Sequence, residues 1–513
     1  MKKNIQKLLG LIALVLALPS CLEETPRFYD FESYEFGSLD ENGGNWKTIL
    51  VADPSQIVLS APEPVISTAY QVELAEVKNM NANLSDSDKR AIDYWTSNPV
   101  IRWNEIALEM AAKYNLIPGP NPDGTYTLPS PANPSGPPAF PFAHPPYTSR
   151  MLAYLSVAQY DGLILAWQYK FQFNRLAPYR QDPGIRSSYP ENGLPSYPSH
   201  GAVVAKVSKE ILTLTFPLEA AVLEQHYQQH LQSMLQSGIN VRSDLDAGIQ
   251  LAEQVISLAK ARASSDGMAK AQTPKAISDS IANAAFERFG WKWQNTETPQ
   301  RPVGLTPLFG QVKMWHVPNV EEVRSPPPPA IGSPQFEADV KELERYAKNL
   351  SLDQRRIANW WEDGLSSYTP PGHWNKFAKL SIVKNRLNPL RAARVFAYMN
   401  TAIMDAGVAC WDTKYYYHYP RPVETIRGFR TILGTPNFPA YTSGHSTFSA
   451  AGAEVLAYFF PDEAAQFRKW AEEAAVSRIY GGIHYRFDAT AGTAQGRKVG
   501  GYAVNQARRD GIQ

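Results

Sequence analysis

Residues 439–445 read Pro-Ala-Tyr-Thr-Ser-Gly-His, and residues 195–201 read Pro-Ser-Tyr-Pro-Ser-His-Gly. The two stretches lie 244 positions apart, and the likeness extends in both directions at that offset. Trp167-x-x-Lys170 falls on Trp411-x-x-Lys414, and Pro178 falls on Pro422. Phe216-Pro217-x-Glu219-Ala220-Ala221 falls on Phe460-Pro461-x-Glu463-Ala464-Ala465. Gly238-Ile239, Arg242, Asp244 and Ala247-Gly248 fall on Gly482-Ile483, Arg486, Asp488 and Ala491-Gly492. Residues 195–255 and 439–499 share 18 identities in 61 positions, where composition alone gives roughly four. Upstream the match resumes after a gap, with Trp103-Asn104 against Trp374-Asn375. The chain is therefore read as an internal duplication.

Each copy carries apolar residues at helical spacing, punctuated by Pro and Gly, and little strand-like alternation. In the second copy the pattern predicts helices at about 353–363, 388–412, 445–459, 463–478 and 486–508. The fold class expected is all-α: two tandem related helical bundles joined by long Pro/Trp-rich loops. The expected boundaries are a signal peptide at 1–20, a tether and lead-in at 21–85, and a first bundle at 86–265. A Pro/Trp-rich connecting segment at 266–340 and a catalytic bundle at 341–513 follow. Residues 118–146 hold 11 prolines, and residues 290–335 hold Trp291, Trp293, Trp315 and the run Pro326 to Pro329. The interleaved aromatics predict loops packed onto the helices rather than a loose linker.

The 513 residues include 50 Lys and Arg against 49 Asp and Glu, a net charge of +1. That balance excludes the electrostatic footprint of a nucleic-acid binder. The two cysteines, Cys21 and Cys410, exclude a disulfide framework and a Cys-based zinc site. Cys410 is expected to be a small buried hydrophobe. The N-terminus runs MKKNIQKLLGLIALVLALPSC, with a basic start and an apolar stretch too short for a comfortable span. Its end, Leu18-Pro19-Ser20-Cys21, resembles a bacterial lipobox. The expectation is cleavage before Cys21, lipidation of its thiol, and a body tethered to the membrane of the bacterial cell envelope.

Three linked elements of the second copy carry chemistry. They are Lys414-x6-Arg421-Pro422, then Phe438 to His445, then Ser477-Arg478-x5-His484-x3-Asp488. Lys414, Arg421 and Arg478 supply three positive charges, and arginine forks suit tetrahedral oxyanions. Ser443 offers a hydroxyl, and Gly444 an N–H at a helix start, where the dipole favours an anion. His484 and Asp488, four apart, share a helical face, so the carboxylate can orient the ring as nucleophile or metal ligand. His445 is the candidate acid and base. Taken singly, each element is as readily surface charge, a helix cap or a structural pair; their order and spacing together point to a site.

These elements resemble the type 2 phosphatidic acid phosphatase (PAP2) and vanadium-dependent haloperoxidase superfamily, whose pattern is Lys-x6-Arg-Pro, Pro-Ser-Gly-His, Ser-Arg-x5-His-x3-Asp. Thr442 departs from it, standing where proline is usual. The resemblance implies that Lys414, Arg421 and Arg478, with Ser443 and Gly444, bind vanadate or phosphate. It implies that His484 is the vanadium ligand or the phosphate-attacking nucleophile, oriented by Asp488, and that His445 is the acid–base residue. Trp411 and Phe438 resemble the aromatics beside the halide in family chloroperoxidases. The haloperoxidase reading expects vanadate as cofactor, with hydrogen peroxide and halide as substrates. The phosphatase reading expects no cofactor and a phosphomonoester. It is favoured by the short spacing of 31 residues between His445 and Ser477. A catalytically silent scaffold lipoprotein is the third reading.

The first copy keeps Lys170 and Ser199 but has Ala177, Gly201, Met234 and Asn240 where the second has Arg421, His445, Arg478 and His484. His200 stands one residue out of register. This copy is expected to be structural. His418 is expected to be a packed or exposed ring near the site, and His373 to pack in its Pro-Gly loop.

Overall fold

A computed structural model describes residues 31–116, 144–187, 193–297 and 300–512. Cys21, the signal peptide and nearly all of the Pro-rich stretch 118–146 lie outside the described residues. Among the described residues, fifteen helices of more than one turn form the body. They are α1 (Thr68–Ala82), α2 (Asp86–Ser97), α3 (Pro99–Tyr114), α4 (Pro145–Phe173), α5 (His200–Thr215), α6 (Ala220–Gln236), α7 (Arg242–Ser265) and α8 (Lys275–Phe289). There follow α9 (Pro334–Lys348), α10 (Leu352–Trp360), α11 (Thr369–Lys384), α12 (Pro389–Tyr417), α13 (Gly444–Phe459), α14 (Ala464–Tyr480) and α15 (Arg486–Ala507). Among the described residues there is no β-strand, and no helix is long and apolar enough to cross a membrane. The five helices expected in the second copy are α10, α12, α13, α14 and α15.

The centre is the pair α4 and α12, both 29 residues long and packed along one another. Each begins with proline at its first turn, where no N–H is needed. Each ends on a left-handed cap. Asn174 has φ +49°, with its N–H on the Lys170 carbonyl; His418 has φ +51°, with its N–H on the Lys414 carbonyl. This cap turns the chain just after the site lysine. The buried His418 ring stacks obliquely near Trp293, whose N–H reaches Nδ1 at 3.0 Å. It is thus a packed cap.

The duplication reaches further than the sequence match. Buried Asp161 on α4 accepts the N–H groups of Ile49, Leu50 and Val51 at 2.7–2.9 Å. Its counterpart on α12, Asp405, accepts those of Trp315, His316 and Val317 at 2.7, 2.8 and 3.4 Å. Trp167 donates to the Leu39 carbonyl and Trp411 to that of Leu305. Tyr197 donates to Ser60 and Tyr441 to Pro326. Residues 39–60 and 305–326 are therefore equivalent straps, lying on the central helices at an offset of 266 rather than 244. The helices α1 and α2 repeat as α9 and α10 at the same 266 offset, with serine N-caps Ser67 and Ser333, and Ser85 and Ser351. What read as a lead-in and half of a connector are parts of the two repeated units. This moves the repeat boundaries outward from 86 and 341.

Between the two copies lies a buried polar chain. Asn104 donates to Asn375 at 2.9 Å, Asn375 to Asn400 at 2.8 Å, and Asn400 to Ser156 at 2.9 Å. Asn104 and Asn375 are equivalent by the repeat, as are Ser156 and Asn400. Buried amides of this kind fix one register between otherwise apolar helices. Equivalent ion pairs, Arg150–Asp266 and Arg394–Asp510, both at 2.7 Å, tie the end of each unit to its central helix.

The straps hang on single carboxylates, and burial pushes Asp405 up to about 7 even though it accepts three N–H groups. Asp405→Ala leaves those donors unmatched in the interior. We expect a loss of about 3 kcal/mol in equilibrium urea unfolding, with Asp405→Asn losing less; equal stability of all three proteins contradicts this role.

Candidate active site: a buried cluster of cations and histidines in the second copy

Four segments converge on the pocket. The last turn of α12 brings Lys414, the turn after it Arg421, the loop before α13 Phe438 to Ser443, and the α14–α15 corner Arg478, His484 and Asp488. The approach of α13 to α15 needs glycine at 492: a Cβ there would sit 2.8 Å from the Ser443 carbonyl. Gly248 meets the Ser199 carbonyl in the same way in the first copy. The Ser443 N–H donates to the Asp488 carbonyl at 3.0 Å, which locks the loop to the start of α15.

Lys414, Arg421, Arg478, His484 and Asp488 are all essentially inaccessible to solvent. Among the described residues no carboxylate forms an ion pair with any of the three cations; backbone carbonyls hold them instead. The Lys414 ammonium donates to Pro439 and Ala440 at 2.8 and 2.9 Å. The Arg421 guanidinium donates to Phe438 at 2.9 and 3.1 Å, to Ile483 at 2.8 Å, and to His484 Nε2 at 3.1 Å. Arg478 donates to the Ser477 hydroxyl at 2.9 Å and to the carbonyls of Ala358 (3.1 Å) and Trp361. It thereby caps the C-terminus of α10, whose last carbonyls have no partner within the helix. Burial pulls the Lys414 ammonium down to about 7, and both Arg421 and Arg478 to about 10. Burial is the main cause in all three, only partly offset by Asp488 for Lys414 and Arg421 and by Asp363 and Glu362 for Arg478.

His484 gives its Nδ1–H to Asp488 Oδ2 at 2.8 Å, leaving the Nε2 lone pair toward Arg421. Asp488 Oδ1 has no partner, and burial pushes the carboxyl up to about 7. Burial, then Arg421, Lys414, Arg478 and His445, hold the His484 ring well below its ordinary 6.5, so it is neutral. All four groups act electrostatically on the same buried imidazole, and Arg421 touches it. His445 sits at the first turn of α13, with Nε2 buried and unpartnered and Asp363 Oδ2 3.8 Å away. Burial first, then Arg478 and His373, keep it neutral as well.

Ser443 caps α13, accepting from the Ser446 N–H at 3.4 Å and retaining its own proton to donate. A Cβ on Gly444 would meet only ordinary contacts, at 3.7 and 3.8 Å. Nothing within the protein demands glycine there, and the first copy carries His200 instead. Thr442 donates to Gln495 at 2.8 Å, and the Tyr441–Thr442 peptide is cis, as is Tyr197–Pro198. Trp411 is fully buried, 5.0 Å from the half-buried Phe438 ring, which lies 5.0 Å from the Lys414 ammonium and 5.1 Å from the Arg421 guanidinium. Cys410 is buried and free, as expected.

Asp363 was not among the sequence candidates. It has φ +45° just after α10 and accepts from His373 Nδ1 at 3.0 Å, with the His373 ring stacked on Trp361 at 4.5 Å. So His373, on α11, is a hydrogen-bond partner of Asp363 rather than a loop filler. No motif marks Asp363; only its place after a helix that ends at the site reveals it.

Residues 394–511 match the PAP2 superfamily. A vanadium chloroperoxidase of Curvularia inaequalis is 27% identical over 131 residues, 20% of this chain and 22% of the relative. That alignment thus spans about a fifth of the relative's length. A bacterial vanadium-dependent iodoperoxidase superposes with a TM-score of 0.53 at 23% identity, over 71% of this chain and 91% of that one. The holo form of a bacterial vanadium-dependent chloroperoxidase gives 0.51 at 14%, over 75% and 96%. The fold is the all-α fold of vanadium haloperoxidases, and the match takes in both copies, not the PAP2 segment alone.

A buried lysine lowered to about 7 regains its proton when an anion binds. Sulfate, which does not titrate near neutrality, is the clean probe. We expect calorimetry to show proton uptake on sulfate binding above pH 7, and affinity falling by up to about tenfold per unit there. Lys414→Gln should weaken the dependence, leaving only the share that Asp488 contributes. A pH-independent affinity in the parent protein contradicts the assignment.

Proposed function

We propose that the chain is a vanadium-dependent haloperoxidase, oxidising halide with hydrogen peroxide. The observation that carries this is the set of three buried cations, without an ion-paired carboxylate among the described residues, around a neutral histidine whose Nδ1–H is fixed by a carboxylate. The donor set fits vanadate. Asp488 Oδ1 and His445 Nε2 are buried polar atoms without partners, and His484 Nε2 faces only a guanidinium. His484 Nε2 would be the single protein ligand, with Lys414, Arg421, Arg478, Ser443 and the Gly444 N–H holding the oxygens. Vanadate held in this way supplies a Lewis acid that activates peroxide toward halide without changing its own valence.

The protein's own part is electrostatic and protonic. Asp488 fixes the His484 tautomer so that the lone pair, not the N–H, points inward. An incoming oxyanion takes over the Arg421 donor that His484 Nε2 now accepts. His445, neutral and with a free Nε2, takes a proton from a substrate oxygen and returns it. Phe438 lays an aromatic face against Lys414 and Arg421, which keeps water from them. Halide oxidation is the reading the relatives' names favour, and the duplicated fold agrees with it.

A PAP2-type acid phosphatase is the second reading, favoured by the 31-residue spacing between His445 and Ser477. Here His484 Nε2 attacks phosphorus after His445 protonates the leaving oxygen, and His445 then activates water. A paired assay separates the two. We expect bromination of a phenol dye with vanadate, peroxide and bromide, reduced at least a hundredfold in His484→Ala. We expect little release from an aryl phosphate without vanadate. Vanadate-inhibited phosphate release with no bromination would transfer the assignment to the phosphatase. Silence in both, in a folded protein, would leave the scaffold reading.

A further inference from the structure

The first copy has lost both arginines and the histidine that stand at this place in the second copy, but not the pocket. A cavity of about 20 Å³ occupies the equivalent place, lined by Lys170, Ala177, Ser196, His200 and Asn240 among others. Ala177 stands where Arg421 fills the second copy, and the missing guanidinium is what opens the space. The volume suits one or two particles the size of a water molecule.

The charge at this place is unbalanced. Lys170 is 1% exposed and keeps the posture of Lys414, donating to the carbonyls of Pro195 at 2.5 Å and Ser196 at 3.3 Å. An ammonium has three donors, so one remains. The nearby carboxylate, Asp244, is taken by Arg175, which lies between the rings of Tyr70 and Tyr197. Lys170, Arg175 and Asp244 thus sum to one positive charge. Lys414, Arg421, Arg478 and Asp488 sum to two. His200 is 6% exposed and lines the cavity, and its Nδ1 has no partner among the described residues. Asn240 is already engaged, accepting from Ser199 and donating to Ser196, both at 2.9 Å. Burial without a paired carboxylate pulls Lys170 down to about 7, which agrees with a missing counter-charge.

We propose that this cavity is a second anion site, which takes one small monovalent anion of halide size through Lys170 and His200. A tetrahedral oxyanion does not fit it: the space is too small, and two guanidiniums and the imidazole ligand are gone. The proposal does not depend on the activity assigned to the second copy.

Bromide tests it on the full chain. The melting temperature is read against sodium bromide, with sodium sulfate at matched ionic strength as control. The readings are made in the parent protein and in Lys414→Gln, where the working pocket is disabled. We expect bromide to raise the midpoint by about 2 °C near saturation in both. Ala177→Leu, which fills the cavity and keeps Lys170, should abolish the rise. If that variant does not fold, Lys170→Gln reads the same loss. Bromine anomalous density in a bromide crystal should lie between Lys170 and His200. Density for water alone, a bromide peak only beside Lys414, an undiminished rise in Ala177→Leu or Lys170→Gln, or sulfate in the cavity would each overturn the proposal.

Discussion

Three cations buried together without a paired carboxylate are the constraint on which this structure turns. Ions removed from water require compensation of several kcal/mol each. The protein supplies it with oriented carbonyls: Phe438 to Ala440, Ile483, and the C-terminal end of α10. Each group of carbonyls must be held rigidly, since a loop that relaxed would leave a charge bare. The Ser443–Asp488 hydrogen bond, the glycine contact between α13 and α15, and the Arg478 cap on α10 all serve that rigidity. Under the proposed function, the site is thus preorganised for an anion before one arrives.

The duplication explains how so long a chain holds one such pocket. The central pair α4 and α12 is shared, each strap is pinned by one buried aspartate, and buried amides fix the register between copies. The first copy keeps its lysine, its capping serine and its helix-start aspartate. These are the parts that hold the loop together. It lacks the arginines and the histidine, which are needed only if an oxyanion binds. Arg175 then neutralises Asp244, the carboxylate that in the other copy orients His484.

Much of the site was legible because its motifs are local. Lys414 and Arg421 flank one helix end, and His484 and Asp488 share one helix start, so spacing in sequence reports spacing in space. The fold class and the helices α12 to α15 were readable for the same reason, through their apolar periodicity. Arg478's carbonyl partners and Asp363 were not legible, because they lie more than a hundred positions upstream and act through backbone or a single carboxylate. Nor were the straps. Ile49-Leu50-Val51 and Trp315-His316-Val317 share little sequence, because Asp161 and Asp405 recognise their N–H groups and not their side chains. The longer segment between α3 and α4 in the first copy also shifts the offset, so an ungapped comparison passes over them.

The central claim is that one copy of a duplicated fold carries a single oxyanion centre at His484. Titration with vanadate followed by vanadium-51 resonance measures it most directly. The account predicts one vanadate per chain, unchanged in Asn240→Ala and lost in Arg421→Ala/Arg478→Ala. Two equivalents per chain, or one that survives loss of both arginines, would contradict it.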